Sequence, residues 1–128
     1  MMTQAFSFEL VSPEKLIFSG EALSVLVPGA EGDFEVLANH APAMSSLRPG
    51  VLTVTDSSGK KGYFVDGGFA DVNSKGLTVL ANEAIAVEDM GAARIAQAIA
   101  AAEAAITQAA NDHDAFNATQ KAAALKSL

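Results

Sequence analysis

The chain contains no cysteine and no tryptophan, and it has a single tyrosine among its 128 residues. The lack of cysteine excludes a disulfide framework, a thiolate nucleophile and zinc ligation by cysteine. No apolar run approaches the roughly 20 residues that a membrane-spanning helix requires, and the N-terminus lacks the basic and apolar segments of a targeting peptide. We therefore expect a soluble chain without a transmembrane segment or a cleaved leader.

Basic residues are also few: 8 lysines and arginines stand against 15 aspartates and glutamates, which gives a formal net charge of -7. Nucleic-acid phosphates and anionic lipid surfaces both attract basic patches. The composition therefore argues against a nucleic acid or a lipid surface as the partner. We expect the partners to be proteins.

Hydrophobic residues make up 50% of the sequence, and their type changes along the chain. Valine, leucine and phenylalanine dominate the first part, whereas alanine dominates after residue 91. A change of this kind is typical of two structural regions. We place the first region at residues 1–84 and the second at residues 88–128.

In the first region, apolar residues alternate with polar ones in short runs, a pattern typical of β-strands. Asp56-Ser-Ser-Gly-Lys-Lys61 separates two runs and favours a hairpin loop, while Gly67-Gly68 favours a bulge or a tight turn. Strands without intervening helices predict an antiparallel β-sandwich or flattened barrel. The runs are Phe6, Phe8 and Leu10; Leu23, Val25 and Val27; Phe34 and Val36; 51–55; 63–65; and 77–80, which we take as the last strand.

In the second region, the apolar positions change to helical spacing. Ile95, Ile99, Ala102 and Ile106 fall on one stripe of a helix of about six turns. The polar residues 111–114 interrupt it, and a second helix follows from about Asp112 to Leu125. The short break predicts an antiparallel hairpin, and its alanine-rich seam buries little area. The predicted fold is therefore α+β and mainly β, a sandwich followed by a two-helix hairpin that could detach.

Three carboxylates form the most prominent polar pattern of the chain. Glu31, Asp33 and Glu35 stand two residues apart, so that on a strand they project from one face. A solvated outer face, a protein-docking edge and a cation site all fit this spacing. No further acidic cluster supplies the remaining oxygens that calcium usually needs, so we expect no metal.

The two histidines do not form a catalytic group with other residues. His40 lies in a turn next to Pro42, where histidine commonly makes structural hydrogen bonds, and His113 lies at the break between the predicted helices. There is no Gly-x-Ser-x-Gly elbow and no Ser-His-Asp order. We expect neither catalytic residues nor a cofactor.

Several segments together resemble the epsilon subunit of bacterial F-type ATP synthase, in order from about Phe8 to Ala84. They are Val27-Pro-Gly-Ala-Glu-Gly-Asp-Phe-Glu-Val-Leu-Ala-Asn-His-Ala-Pro42, Leu47-Arg-Pro-Gly50, Val11-Ser-Pro-Glu14, Phe18-Ser-Gly-Glu21 and Phe64-Val-Asp-Gly-Gly-Phe-Ala70. The resemblance implies a noncatalytic central-stalk subunit that couples the gamma subunit to the c-ring. It also implies a peripheral location at the cytoplasmic face of the bacterial inner membrane.

The same resemblance assigns partner-binding residues by position. Glu31, Gly32 and Asp33 correspond to the loop that meets the rotor ring. The other interface candidates are Ser12, His40 and Ser45. In the family the hairpin acts on the alpha/beta catalytic head, but here only Lys121 and Lys126 remain basic along the second helix.

Some epsilon subunits bind ATP through an Ile/Leu-Asp-x-x-Arg-Ala motif, which aligns with Met90-Gly-Ala-Ala-Arg-Ile95. Arg94 matches the motif and is the ATP candidate. The acidic position is Gly91, which has no side chain to accept a hydrogen bond, and the alanine position is Ile95. We therefore do not expect ATP binding.

Two other functions are compatible with the sequence. One is an ATP-binding regulatory sandwich that is not part of a rotary motor, which requires measurable ATP affinity. The other is a small hydrolase or sugar-binding sandwich, which requires paired carboxylates or stacking aromatics. Tyr63 is the only tyrosine available for stacking.

Overall fold

The computed structural model describes residues 4–107, 112–126 and 128. Within these residues the chain forms a β-sandwich followed by two α-helices. The helices are α1 (Ala92–Thr107) and α2 (Asp112–Lys126), and a 3-10 turn at Val87–Asp89 precedes α1. The strands are β1 (Phe6–Val11), β2 (Leu16–Ala22), β3 (Ser24–Gly29), β4 (Gly32–Val36), β5 (Ala43–Leu47), β6 (Gly50–Asp56), β7 (Gly59–Val65), β8 (Gly68–Asn73), β9 (Gly76–Ala81) and β10 (Ala84–Ala86).

The strands form one continuous hydrogen-bonded sheet, which folds over to make the two layers of the sandwich. Its order is β10-β7-β6-β3-β5-β8-β9-β1-β2, and β4 pairs with β3 beside this path. β3 is the corner, because it pairs with β4, with β6 and, through Gly29 and Leu47, with β5. The ring of Phe18 on β2 lies 5.4 Å from that of Phe8 and 6.3 Å from that of Tyr63 on β7. These aromatic contacts join the two layers.

The core confirms the alternation that the sequence predicts. Phe8, Leu10, Val25, Val27 and Val36 are almost completely buried. The core residues of each strand lie at every second position, so the residues between them, Glu9, Leu26 and Glu35, are exposed. Phe6, Leu23 and Phe34 are partly buried, and Phe6 and Phe34 pack against this core.

Three details of the sandwich differ from the prediction. β1 and β9 pair in parallel, with Leu10 opposite Val79, because the long chain between them does not impose the antiparallel direction of a hairpin. The run 77–80 is not the last strand, since β10 follows and pairs with β7. The loop predicted at residues 56–61 is shorter than expected, because the β6–β7 pairing continues to Asp56 and Gly59 and leaves only residues 57 and 58 unpaired.

The turn between β6 and β7 is held by the carboxylate of Asp56. Asp56 Oδ1 accepts hydrogen bonds from the hydroxyl of Ser58 at 2.6 Å and from its amide at 2.8 Å. Both hydrogen bonds lower the pKa of Asp56 below its usual value, because they favour the charged carboxylate. The bond from the Ser58 hydroxyl has the larger effect and the bond from the Ser58 amide the smaller one. Asp56 therefore caps a tight two-residue connection between the strands.

The helical hairpin folds back on the sandwich. In α1, Ala102 is buried and Ile95, Ile99 and Ile106 are partly buried, so the predicted stripe is confirmed. α1 is described over 16 residues, between four and five turns rather than about six; residues 108–111, where its expected end and part of the predicted break fall, lie outside the described residues.

The predicted second helix is confirmed by α2, whose bounds differ by one residue from the expected Asp112 to Leu125. Lys126 at the end of α2 lies 3.7 Å from Glu103 of α1, and the two helices pack against each other. Leu125 is fully buried, whereas Phe116 is exposed. The bulky contacts of α2 are therefore concentrated at its C-terminal end.

Candidate partner-binding surface

The acidic turn, residues 29–33, connects β3 to β4. Gly29 and Gly32 pair across it, and the amide of Ala30 donates to the carbonyl of Ser46 at 2.8 Å. A Cβ at Gly29 would lie 2.6 Å from the carbonyl oxygen of Gly32, so this close turn requires glycine. The chain is thus held tightly while Glu31 and Asp33 are exposed, as the alternation of the sequence predicts.

Arg48 connects the acidic turn to the following strand pair. Its guanidinium forms an ion pair with the carboxylate of Asp33 and donates a hydrogen bond to the carbonyl of Gly29, while its amide donates to Pro28 at 3.1 Å. From the sequence alone, Arg48 before Pro49-Gly50 is most simply a turn residue, although it could also pair with a carboxylate of a partner protein. The structure shows that it pairs with a carboxylate of its own chain.

The ion pair with Arg48 distinguishes Asp33 from the other two carboxylates, Glu31 and Glu35. Asp33 is engaged by Arg48, so its charge is partly neutralised within the turn. Among the residues that the structure describes, Glu31 and Glu35 have no ion-pair or hydrogen-bond partner for their side chains. Glu31, at the tip of the turn, is therefore the carboxylate that is best placed to meet a partner.

His40 lies at the opposite end of β4 from the acidic turn. Its Nδ1–H donates to the carbonyl of Ala41 at 2.6 Å, and its amide donates to the carbonyl of Leu37 at 3.1 Å. The neighbouring Asn39 has a φ of 65° and donates through its side chain to Gln4 at 3.1 Å. His40 thus makes the structural hydrogen bonds that are common for a histidine in a turn, and it does not share a site with Glu31.

A cleft of about 560 Å³ lies beside His40, between the turn 37–42 and the β8–β9 turn. Among its described lining residues, Glu21 is the only carboxylate. Hydrolysis of a glycosidic bond generally uses two carboxylates on either side of the bond. The cleft therefore does not provide the site that a hydrolase of this kind requires.

Ser12 and Ser45 occupy two further, separate positions. Ser12 begins the β1–β2 turn, where its hydroxyl donates to the carbonyl of Lys15 at 3.3 Å. Ser45 is partly buried in the middle of β5 opposite the core residue Ala70, so it is on the inward side of the strand. Ser12 is at the same end of the sandwich as the acidic turn, several strands away, and Ser45 is at neither end.

The structure also reveals an apolar stripe, which we define as Val11, Leu16, Phe69 and Leu80. These residues are cross-strand neighbours on the outer face of β8, β9, β1 and β2. Leu16 and Leu80 are 57% and 53% exposed. At strand spacings of about 4.8 Å the stripe extends about 14 Å across the sheet, and the exposed Met44 of β5 lies near its end.

Sequence reasoning missed this stripe, although a signal for it exists. Each member is an apolar residue at a position where the alternation of its strand predicts a polar one. Leu80 follows the buried Val79, and Phe69 precedes the buried Ala70. A residue that breaks the alternation in this way, repeated on four adjacent strands, marks a candidate interaction surface.

The ATP candidate Arg94 is exposed near the start of α1. The carbonyl of Gly91 accepts a hydrogen bond from the amide of Ile95 at 3.0 Å, at the start of α1. The first turn of α1 has no acidic residue. Arg94 lies in a groove with Lys15, Lys61 and Asp89. The ammonium group of Lys61 lies 3.0 Å from the carboxylate of Glu88. This hydrogen bond is the main cause that raises the pKa of Lys61, and the charges of Tyr63 and Glu88 add to it. Nothing in this geometry tests ATP binding, so the expectation that Arg94 does not bind ATP stays a prediction.

The residues that the structure describes contain neither a metal-binding cluster nor a helix that could span a membrane. No group of three histidine, aspartate or glutamate side chains in this part of the chain is arranged to hold a metal ion. None of the described helices has the length and apolar composition that crossing a bilayer demands.

The chain is a two-layer β-sandwich with a helical hairpin, and its apolar stripe is a candidate surface for a protein partner. The family model of the ATP synthase Delta/Epsilon chain beta-sandwich domain matches residues 5–87. An ATP synthase epsilon chain of Rhodopseudomonas palustris (strain BisA53) is 54% identical over 101 residues, which is 79% of this chain and 75% of the relative. The chain therefore belongs to the ATP synthase delta/epsilon family, as an epsilon chain.

The similarity continues beyond the sandwich. An ATP synthase epsilon chain of Mesorhizobium japonicum is 45% identical over 128 residues, which covers 99% of this chain and 95% of the relative. A chain in a Euglena gracilis mitochondrial ATP synthase structure, described as OSCP/F1/c-ring, has a TM-score of 0.74 at 25% identity and covers 95% of this chain; 78% of that chain is covered in turn. The resemblance that the sequence showed to about Ala84 thus extends through the hairpin.

Proposed function

We propose that this chain is a noncatalytic central-stalk subunit of a proton-translocating F-type ATP synthase. It binds the gamma subunit through the apolar stripe and meets the c-ring through the acidic turn, at the cytoplasmic face of the bacterial inner membrane. The observation that carries the proposal is the stripe, because it is the feature of the surface that requires a protein partner. Membership of the epsilon-chain family supports the gamma subunit as that partner.

The stripe has the properties of an interface centre. Its leucines are about half exposed in the isolated chain, and full burial of such a side chain contributes about 1.5–3 kcal/mol. A flat array of apolar residues on rigid strands also loses little side-chain freedom when it is covered. These properties favour a stable contact with gamma over a transient one.

A Leu80→Glu variant tests the contact with gamma. We expect its affinity for the purified gamma subunit to fall about 30-fold or more, because a charge would be buried in an apolar interface and central residues of this kind contribute at least about 2 kcal/mol. Leu80 is exposed, so the variant should fold. Titration calorimetry with gamma is the measurement.

The matched control is Leu26→Glu, on the outer face of β3 in the other layer. Leu26 is 38% exposed and lies between Glu35 and Thr53. We expect this variant to bind gamma with nearly wild-type affinity. Equal affinities for the two variants would show that gamma does not bind at the stripe.

The acidic turn is the proposed contact with the c-ring. Glu31→Lys should reduce the yield of the assembled complex and proton-coupled ATP synthesis several-fold, because it reverses the charge of an exposed side chain at the tip. Asp33 is unsuitable for this test, since its replacement would also leave Arg48 without its partner. ATP synthesis in membrane vesicles provides the measurement.

Glu35→Lys is the control for the acidic turn, because Glu35 is exposed on β4 four residues after Glu31 and lies outside the turn. The stability of both isolated variants should stay near wild type, since exposed charges contribute little to it. Normal ATP synthesis and complex yield in Glu31→Lys would remove the acidic turn from the contact.

The remaining assignments complete the proposal. The sandwich at residues 1–84 forms the part that binds gamma and the ring, with Ser12, His40 and Ser45 as further interface candidates. The hairpin at residues 88–128 acts on the alpha/beta catalytic head and modulates ATP hydrolysis. The sequence similarity over the full length of the chain supports the inclusion of the hairpin in this function.

A further inference from the structure

The hairpin rests on the sandwich through a small apolar cluster. Its buried members are Phe64 of β7, Met90, Ala102 of α1, and Ala122 and Leu125 of α2. Alanine contributes little area to such a contact, and Leu125 is the only bulky described residue that α2 buries in it. Apolar burial alone therefore holds the hairpin less firmly than the core holds the two layers together.

An ion pair reinforces this contact. Lys121 Nζ of α2 lies 2.7 Å from Asp66 Oδ2 in the β7–β8 turn. Among the ion pairs of the described residues, this is the one that joins α2 to the sandwich. The pair is sheltered, since the two side chains are only 30% and 28% exposed.

The two partners differ in how they are held. The amide of Asp66 donates to the carbonyl of Glu83 at 2.9 Å, and the amide of Asn82 donates to the carbonyl of Gly67 at 3.3 Å, so the turn that carries Asp66 is held against the β9–β10 connection. Lys121 is carried by a helix whose other contacts with the sandwich are few and small. A sheltered charge that loses its partner is poorly solvated, so the pair favours the docked position of α2.

We propose that Lys121 and Asp66 form a latch that holds the helical hairpin against the sandwich. Breaking the latch releases α2 from β7 without unfolding the sandwich. The docked α2 also borders a groove of about 460 Å³ that contains Asp33 and Arg48. The latch therefore links the position of the hairpin to the surroundings of the acidic turn. It is a property of the isolated chain and does not depend on the proposed function.

The absence of cysteine makes the latch directly measurable. Ser57→Cys in the β6–β7 turn and Ala104→Cys on the exposed side of α1 provide two unique sites for spin labels. In this labelled background we expect one narrow distance distribution. Lys121→Gln should add a second, longer population and lower the ratio of docked to released chains about tenfold, the size that the loss of a sheltered pair can produce.

Lys126→Gln is the matched control, because Lys126 pairs with Glu103 inside the hairpin and is well exposed. It should keep the wild-type distribution. Asp66→Asn should release the hairpin from the sandwich side, and the exchanged pair Lys121→Asp with Asp66→Lys should restore docking. Far-UV circular dichroism confirms that the sandwich stays folded in each variant.

The proposal would be overturned if Lys121→Gln and Asp66→Asn both gave the distribution of Lys126→Gln. It would also be overturned if the exchanged pair were as undocked as the single variants, because docking would then depend on the individual side chains and not on their attraction.

Discussion

A Gly76→Ala substitution is expected to lower the free energy of unfolding by about 3 kcal/mol or more. Gly76 begins β9 with a φ of 136°, and a Cβ at this position would lie 2.1 Å from the carbonyl oxygen of Ser7. Ser7 is its partner in the parallel β1–β9 pair, so the clash falls on backbone that cannot move without separating the two strands. Urea denaturation followed by far-UV circular dichroism measures the loss.

Gly59→Ala separates the two causes of this loss. Gly59 has a similar φ of 132°, but nothing lies within 4 Å of the position that its Cβ would take. We expect this variant to lose about 1–2 kcal/mol from the backbone conformation alone. If both alanine variants were destabilised equally, the close approach of β1 to β9 would have no energetic effect.

A Phe8→Ala substitution is expected to cost about 3–5 kcal/mol, the usual range for a buried phenylalanine. Phe8 is completely buried, and its ring contacts that of Phe18, which in turn contacts Tyr63 in the opposite layer. The substitution therefore leaves a cavity at the aromatic contact that joins the two layers. Thermal unfolding should show a clearly lower midpoint.

Phe116→Ala is the control for the size of the side chain, because Phe116 is exposed on α2. Its effect should stay within about 0.5 kcal/mol, as is usual for surface positions. A small effect of Phe8→Ala, similar to that of the control, would mean that the aromatic contact does not hold the layers together.

The sequence predicted the strands whose inward and outward positions alternate. Val25, Val27 and Val36 are buried as expected, because a one-residue shift would move each strand's apolar set to solvent. β10 was missed because three residues are too few to show a period. The parallel direction of β1 and β9 was missed because it depends on strands that are distant in sequence, about which a local pattern carries no information.

The candidate site was predicted less completely, for a similar reason. Exposure of Glu31 follows from its place in a turn before an alternating strand. The engagement of Asp33 by Arg48, 15 residues away, depends on β3 lying beside β5. The apolar stripe is the sum of four positions on four strands, and each position looks unremarkable until the register places it next to the others.

The β1–β9 pair also has a consequence for how the chain folds during synthesis. β1 leaves the ribosome well before its parallel partner β9, which begins at Gly76 after the seven strands β2 to β8. Until then one edge of β1 is open and can pair with other chains. Contacts between such distant segments form slowly, so closure of the sandwich should be a late event that awaits β9, and the nascent chain is the form most exposed to aggregation.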